Sequence, residues 1–158
     1  MNSGLAVGLA FGIGIVAGLR SLTAPAVVSC AAHLGWIDLH GTPLAFMSSV
    51  WAIAIFTVLA VFELVADQLP STPSRTASFG LSARIVTGAL SGACLGVAGG
   101  ATLLQGALAG ALGGVAGAFG GYQARVGLVR ALRVPDVAVA IPEDLIAIGL
   151  GLFLASRF

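Results

Sequence analysis

The chain has 158 residues, a net charge of +1 and a mean hydropathy of +1.08, with 58% hydrophobic and only 8% charged residues. Soluble domains carry about 25% charged residues, so the composition excludes an ordinary soluble protein and predicts an integral membrane protein. The length allows one domain, residues 1–158, and the small net charge gives no basis for a nucleic-acid partner.

The first hydrophobic stretch, residues 4–36, is too long for one straight span, because a spanning helix needs about 20 residues. It is interrupted at 18–25, where Pro25 lacks a backbone donor and neighbouring hydroxyl residues can cap a new helix. We therefore predict a helix over 4–19, a break, and a half-length helix over 25–35.

Four further apolar stretches follow, at 43–66, 82–99, 102–124 and 138–156. Prolines and hydroxyl residues after the second span mark a loop that leaves the membrane, and Pro135 breaks the chain before the last span. The expected fold is an all-α bundle of about five transmembrane helices. Its first helix is broken, and the half-helix after the break either continues across the membrane or is re-entrant.

The third and fourth spans carry glycine at every fourth position: Gly88, Gly92, Gly96 and Gly100 on one, and Gly106, Gly110 and Gly114 on the other. Small residues at this spacing let two helix backbones approach closely in a membrane. The pattern predicts a tightly packed helix hairpin. The glycines could pack inside one protomer or between the copies of a homo-oligomer.

The arginines predict an orientation. With five spans, the loops at 68–83 and 125–136 fall on the same side as the N-terminus. These loops and the adjoining helix ends hold Arg75, Arg84, Arg125, Arg130 and Arg133. The positive-inside rule then places the N-terminus in the cytoplasm and the C-terminus outside the inner (cytoplasmic) membrane.

Seven ionisable residues lie within the spans or at their ends: Arg20, Glu63, Asp67, Arg84, Arg125, Glu143 and Asp144. Charged groups at membrane depth are costly and usually face a bundle interior or a water-filled cavity. They could form interhelical salt bridges and helix caps, with Glu143 and Asp144 opening the fifth helix. Alternatively, they could line one polar pocket in which arginines attract an anionic group and a carboxylate accepts a proton.

The position of Arg20 depends on how the first helix is broken. A straight helix would carry Arg20 to the outer edge of the hydrocarbon, since each residue adds about 1.5 Å. A re-entrant segment over 20–35 would let Arg20 face a cavity nearer the middle.

A set of motifs resembles a known family: the sequence GLRS at 18–21 with Pro25, ELVADQLP at 63–70 with Pro73 and Arg75, Arg84 with Gly88, Pro135-Asp136, and Glu143-Asp144. Together they resemble a family of small bacterial multi-pass membrane proteins catalogued as a domain of unknown function. The resemblance covers nearly the whole chain and implies a single membrane domain with a shared polar site. It implies no activity.

These observations favour a small transporter or channel-like protein whose seven ionisable residues bind a small anionic solute or a lipid headgroup. The alternative is a structural or assembly protein that packs through its glycine-rich helices. The sequence contains no nucleophile elbow, phosphate-binding loop or metal-ligand spacing, so an enzyme is the less expected class and no cofactor is predicted. The expected partners are the lipid bilayer and further copies of the chain.

Overall fold

A computed structural model describes residues 2–66 and 78–158. In these ranges the chain forms six α-helices: α1 Ser3–Leu19, α2 Thr23–His33, α3 Val50–Ala66, α4 Ser78–Ala98, α5 Leu103–Leu132 and α6 Asp136–Ala155. A short 3-10 helix, Ala45–Ser48, precedes α3. This confirms the predicted all-helical bundle with a broken first helix.

The helices have the length and composition of membrane segments. Among the described residues, α4, α5 and α6 are long and apolar enough to cross a bilayer, whereas α1 and α3 are apolar but have only 17 residues each. Large hydrophobic side chains point outward along them, such as Trp51 and Phe62 of α3. Soluble proteins bury such side chains, so these helices suggest a protein that lies in a lipid bilayer.

The centre of the bundle consists of α1, α4 and α5, which pack through glycines. A Cβ atom added at Gly88 would lie 2.6 Å from the carbonyl oxygen of Gly110, and one added at Gly92 would lie 2.5 Å from that of Gly106. Gly113 and Gly117 of α5 lie equally close to the backbone of α1. The glycine rows therefore serve contacts inside the protomer, because no larger residue would allow these backbone distances.

The α4–α5 hairpin has clear local causes. Gly100 adopts a φ of +84°, a conformation that favours glycine, and so ends the turn after α4. Thr102 then accepts a hydrogen bond from the backbone N–H of Gln105, and the Gln105 side chain accepts one from the Thr102 backbone N–H. This reciprocal capping box starts α5.

The direction of α2 differs from a simple continuation of the first span. Val27 of α2 and Val16 of α1 both lie beside Gly151 of α6, so the two helices stand side by side rather than end to end. The segment therefore turns back at Arg20, as in the re-entrant alternative. The connection is short: α1 ends at Leu19, and α2 starts after only three intervening residues.

This reversal places Ser3 and Ala155 at the same end of the bundle. Gly12 of α1 lies beside Leu154 of α6, and α5 runs parallel to α1, since Gly113 lies beside Phe11 and Gly117 beside Ile15. Helix α5 consequently carries its arginines to the opposite end from Ser3. The observed helix directions differ from the predicted arrangement, in which the termini lie at opposite ends and the N-terminus lies at the arginine-rich end, because the chain turns back between α1 and α2. The orientation in the membrane stays a prediction.

The last helix starts earlier than expected. α6 begins at Asp136 and contains Pro142 in its interior, so Glu143 and Asp144 do not occupy its first turn. Asp136 takes that position instead. α6 packs mainly against α1 and α2 and makes few contacts with α5, which leaves a space between α5 and α6.

Candidate functional site

The turn between α1 and α2 leaves backbone groups that need partners, because the N-terminal amides of a helix have no partner within the helix. Glu63, near the end of α3, supplies them. Its Oε1 accepts hydrogen bonds from the backbone N of Ser21 at 2.8 Å and from the Ser21 hydroxyl at 2.6 Å. Its Oε2 accepts one from the backbone N of Leu22 at 2.8 Å. A carboxylate also suits the positive end of the helix dipole.

The other side of the same turn is held by Arg84 of α4. Its Nε donates to the carbonyl oxygen of Gly18 in the last turn of α1, at 3.0 Å, and a terminal nitrogen donates to Gly80, also at 3.0 Å. The C-terminal carbonyls of a helix likewise lack intrahelical partners and attract cations. Thus an arginine caps the end of α1 and a glutamate caps the start of α2.

Arg20, at the turn itself, is fully buried. Its Nε donates to Oδ1 of Asp144 in α6 at 2.5 Å, and a terminal nitrogen forms an ion pair with the same carboxylate. A buried ion pair strongly resists the removal of one partner, since the other charge would be left in a low-dielectric interior. The pair therefore fixes the turn to α6. We call Arg20, Ser21, Glu63, Arg84 and Asp144 the interruption cluster.

The interruption cluster lies part-way along α5. Gly18 packs against Gly117 of that helix, which is 14 positions after Leu103, its first residue. At about 1.5 Å per residue this is about 21 Å along α5. Non-helical backbone that is enclosed by packed helices needs hydrogen-bond partners from the protein, and the cluster provides them.

A second group of charges joins α5 to α6. Arg125 binds Asp136 with two parallel hydrogen bonds, the first from Nε to Oδ1 at 2.8 Å and the second from a terminal nitrogen to Oδ2. Its other terminal nitrogen lies 3.5 Å from Oε2 of Glu143. The Arg125 and Glu143 side chains are only 14% and 12% exposed, whereas Asp136 is 60% exposed. We call these three residues the crevice cluster.

The crevice cluster borders a half-open crevice of about 350 Å³ between α5 and α6. Its walls are apolar and include Leu128 and Leu132 from α5 and Val139 and Ile146 from α6, with Leu19 of α1 among the lining residues. Arg125 and Glu143 contribute the charged part of the lining. Leu128, Leu132 and Ile146 are exposed on the outer surface, so the crevice is accessible from the surroundings of the bundle.

The seven predicted site residues do not form one pocket. Arg20, Glu63, Arg84 and Asp144 meet at the interruption, while Arg125 and Glu143 meet at the crevice. Asp67 lies outside the described residues. Sequence reasoning missed the role of Asp136, although its position just after Pro135 is typical of a helix start. It treated Ser21 only as a possible helix cap, whereas the backbone N and the hydroxyl of Ser21 both donate hydrogen bonds to Glu63. Among the described residues, no group of three or more His, Cys, Asp or Glu side chains is arranged to hold a metal ion.

A comparison with protein families identifies the chain. The family model described as Domain of unknown function (DUF4126) matches residues 7–156. The chain belongs to this family. The match includes every residue of both clusters, so the interruption and the crevice both lie within the DUF4126 domain. No curated protein and no solved structure matches this DUF4126 chain.

Proposed function

We propose that this protein is a small transporter-like membrane protein that receives the headgroup of a membrane lipid, or of a similar amphiphile, in the crevice between α5 and α6. The observation that carries the proposal is the composition of the crevice: apolar walls with Arg125 and Glu143 among the lining residues. An amphiphile combines the same two chemistries, an apolar chain and a charged group.

The size of the crevice agrees with this use. Ligand sites typically have volumes of about 300–1,000 Å³, apolar linings and a few polar groups that orient the ligand. At about 350 Å³, the crevice can hold a headgroup and the adjoining part of a chain, while the rest of the chain lies against the exposed Ile146. The ligand could enter sideways from the bilayer.

The interruption cluster supports the proposal because it holds in place the helices beside the crevice. Discontinuous helices form the binding regions of many transporters, and here the ends of α1 and α2 are held by Arg84 and Glu63. Asp144 follows Glu143 directly in α6, so the buried Arg20–Asp144 pair positions the segment of α6 that borders the crevice. The two buried arginines, Arg20 and Arg84, therefore have structural roles. The proposal no longer includes a pocket in which all the arginines surround one anion.

The scaffold alternative has less support. Its main argument was the glycine rows, and these are used in contacts of α5 with α1 and α4. Glycines with open space around them, such as Gly8, Gly120 and Gly149, do not continue those rows. Assembly into a homo-oligomer stays a prediction, without a surface assigned to it.

We propose the inner (cytoplasmic) membrane as the location, with the arginine-bearing end of the bundle in the cytoplasm. Arg125, Arg130 and Arg133 lie towards that end of α5, while Arg157 lies at the other end, near Ser3. Following the positive-inside rule, we expect both termini to lie outside the cytoplasm. The crevice then lies near the cytoplasmic leaflet.

The proposal is tested by lipid retention in the purified protein. Native mass spectrometry in detergent, with added phospholipid, should show at least one lipid bound. The variant Ala138→Phe places a large side chain in the crevice lining and should reduce the bound fraction about tenfold. Ala54→Phe, at an exposed position on α3, is the matched control and should bind as the wild type does. Equal lipid binding by all three proteins would contradict the proposal.

A further inference from the structure

We infer that Arg130 and Arg133, at the C-terminal end of α5, form a site for the phosphate of an anionic phospholipid in the leaflet at that end of the bundle. The site lies on the outward face of α5, on the opposite side of the helix from the crevice. It does not depend on the proposed function, because neither arginine lines the crevice.

The two arginines lie on the side of α5 that faces away from the bundle. An α-helix has about 3.6 residues per turn, so Arg130 lies about 160° around the helix axis from both Leu128 and Leu132. Those two leucines line the crevice. Arg133 follows Arg130 by less than one turn, and both arginines are exposed. Their side chains are therefore accessible from the surroundings of the bundle.

The same face of α5 is apolar over most of its length. Leu112 and Phe119 precede Arg130 by 18 and 11 positions, which correspond to about five and about three helical turns. Tyr122 likewise precedes Arg133 by 11 positions. Leu112, Phe119 and Tyr122 are all exposed. An apolar outward face that continues into aromatic and then basic residues is typical of a helix that leaves a bilayer.

The length of α5 agrees with a position of the arginines among lipid headgroups. The helix has 30 residues, or about 45 Å at about 1.5 Å per residue. A bilayer is about 30 Å thick across its hydrocarbon and about 40–45 Å thick with its headgroups. Residues 103–124 contain no charged side chain, so we expect this part to cross the hydrocarbon and the last turns to lie among the headgroups. Helical side chains are directed towards the helix N-terminus, and those of both arginines therefore reach back towards the bilayer.

A phospholipid phosphate matches the chemistry of this face. A guanidinium stays charged and donates planar pairs of hydrogen bonds that fit phosphate oxygens. The nearest carboxylate along the chain, that of Asp136, binds Arg125 through both of its oxygens. The acyl chains of the same lipid can pack against Leu112 and Phe119. Basic side chains beside a membrane attract anionic lipids in this way.

The test compares phosphatidylglycerol, which is anionic, with phosphatidylcholine, which is zwitterionic and would carry the same acyl chains. Native mass spectrometry should show that the wild-type chain prefers phosphatidylglycerol by about 25-fold, because each arginine near a membrane surface contributes about fivefold. Arg130→Gln and Arg133→Gln should each reduce the preference about fivefold, and the two changes together should remove it. Their effects should be the same in the wild-type chain and in Ala138→Phe, whose crevice is filled.

Two control variants separate the charge from other effects. The double change Arg130→Lys and Arg133→Lys keeps both charges and should keep most of the preference. Arg157→Gln removes an exposed arginine at the other end of the bundle and should leave the preference unchanged. All these positions are exposed, so none of the changes should lower the melting temperature.

Several outcomes would overturn the inference. They are equal binding of the two lipids by the wild-type chain, a preference that persists when both arginines are changed to glutamine, and an equal loss in Arg157→Gln. Inorganic phosphate should displace no more phosphatidylglycerol than chloride does at the same ionic strength. Stronger displacement would show that the site takes a free anion instead of a lipid. None of these outcomes decides the proposed function, which is tested by the effect of Ala138→Phe on total lipid binding.

Discussion

Arg20 and Asp144 form an ion pair although 124 positions separate them in the chain. The pair joins the turn between α1 and α2 to the middle of α6. Because Arg20 is fully buried and Asp144 is nearly so, we interpret this pair as structural.

The first prediction concerns this pair. Arg20→Gln or Asp144→Asn should lower the free energy of unfolding by about 3–5 kcal/mol, because each change leaves a buried charge without its main counter-ion. Thermal unfolding in one detergent measures the effect, with Asp38→Asn as the exposed control. Unchanged melting of both buried variants would show that water replaces the lost partner and that the pair is not sealed.

The second prediction concerns the cap on α2. Glu63→Gln keeps the size of the side chain but places an amide N–H₂ where a carboxylate oxygen accepts from Ser21 or Leu22. We expect a loss of about 1–3 kcal/mol, as for a buried hydrogen-bond group that loses its partner. Hydrogen exchange should show faster exchange of the first amides of α2. If those amides stay as protected as in the wild type, Glu63 does not hold the helix.

Some of this arrangement could be predicted from the sequence, and some could not. Hydropathy located the apolar stretches, and the combination of Arg20 with Pro25 located the break. The direction of α2 was not predictable, because a short apolar helix has the same composition whether it continues across the membrane or turns back. The turn is fixed by Glu63 and Arg84, which come from helices far along the chain.

The same limitation applied to the site. Intramembrane charges were recognised individually, but hydropathy carries no information about which helix ends meet. The bidentate Arg125–Asp136 contact depends on α5 extending to Leu132 and α6 starting only four residues later. The expected span at 102–124 ended just before Arg125, so that residue was placed at the end of the span, next to a loop.

The third prediction concerns the central glycines. Gly110→Ala should destabilise the protein by about 1–3 kcal/mol, because the added methyl group would overlap the backbone of α4 and push the helices apart. Gly120→Ala adds the same methyl group to the same helix where no atom lies within 4 Å. It should be neutral or stabilising, since alanine favours helix by up to about 1 kcal/mol. Equal melting of the two variants would contradict the packing of α4 against α5.

The fourth prediction concerns topology. A reporter that is active only in the cytoplasm should give the same reading at either end of the chain, because Ser3 and Ala155 lie at the same end of the bundle. In the proposed orientation both fusions are silent, while an insertion between Arg133 and Pro135 is active. Opposite readings at the two termini would contradict the helix directions.

The central claim, that a lipid headgroup binds between α5 and α6, is tested most directly by photo-crosslinking in membranes. A phospholipid analogue with a photoreactive group near its headgroup would be irradiated with the reconstituted protein, and the labelled peptides would be identified by mass spectrometry. The account predicts labelling concentrated near Leu128 and Ile146, and reduced by Ala138→Phe but not by Ala54→Phe. Labelling spread evenly over the outward-facing residues of α3, such as Trp51 and Phe62, and unaffected by Ala138→Phe, would contradict it.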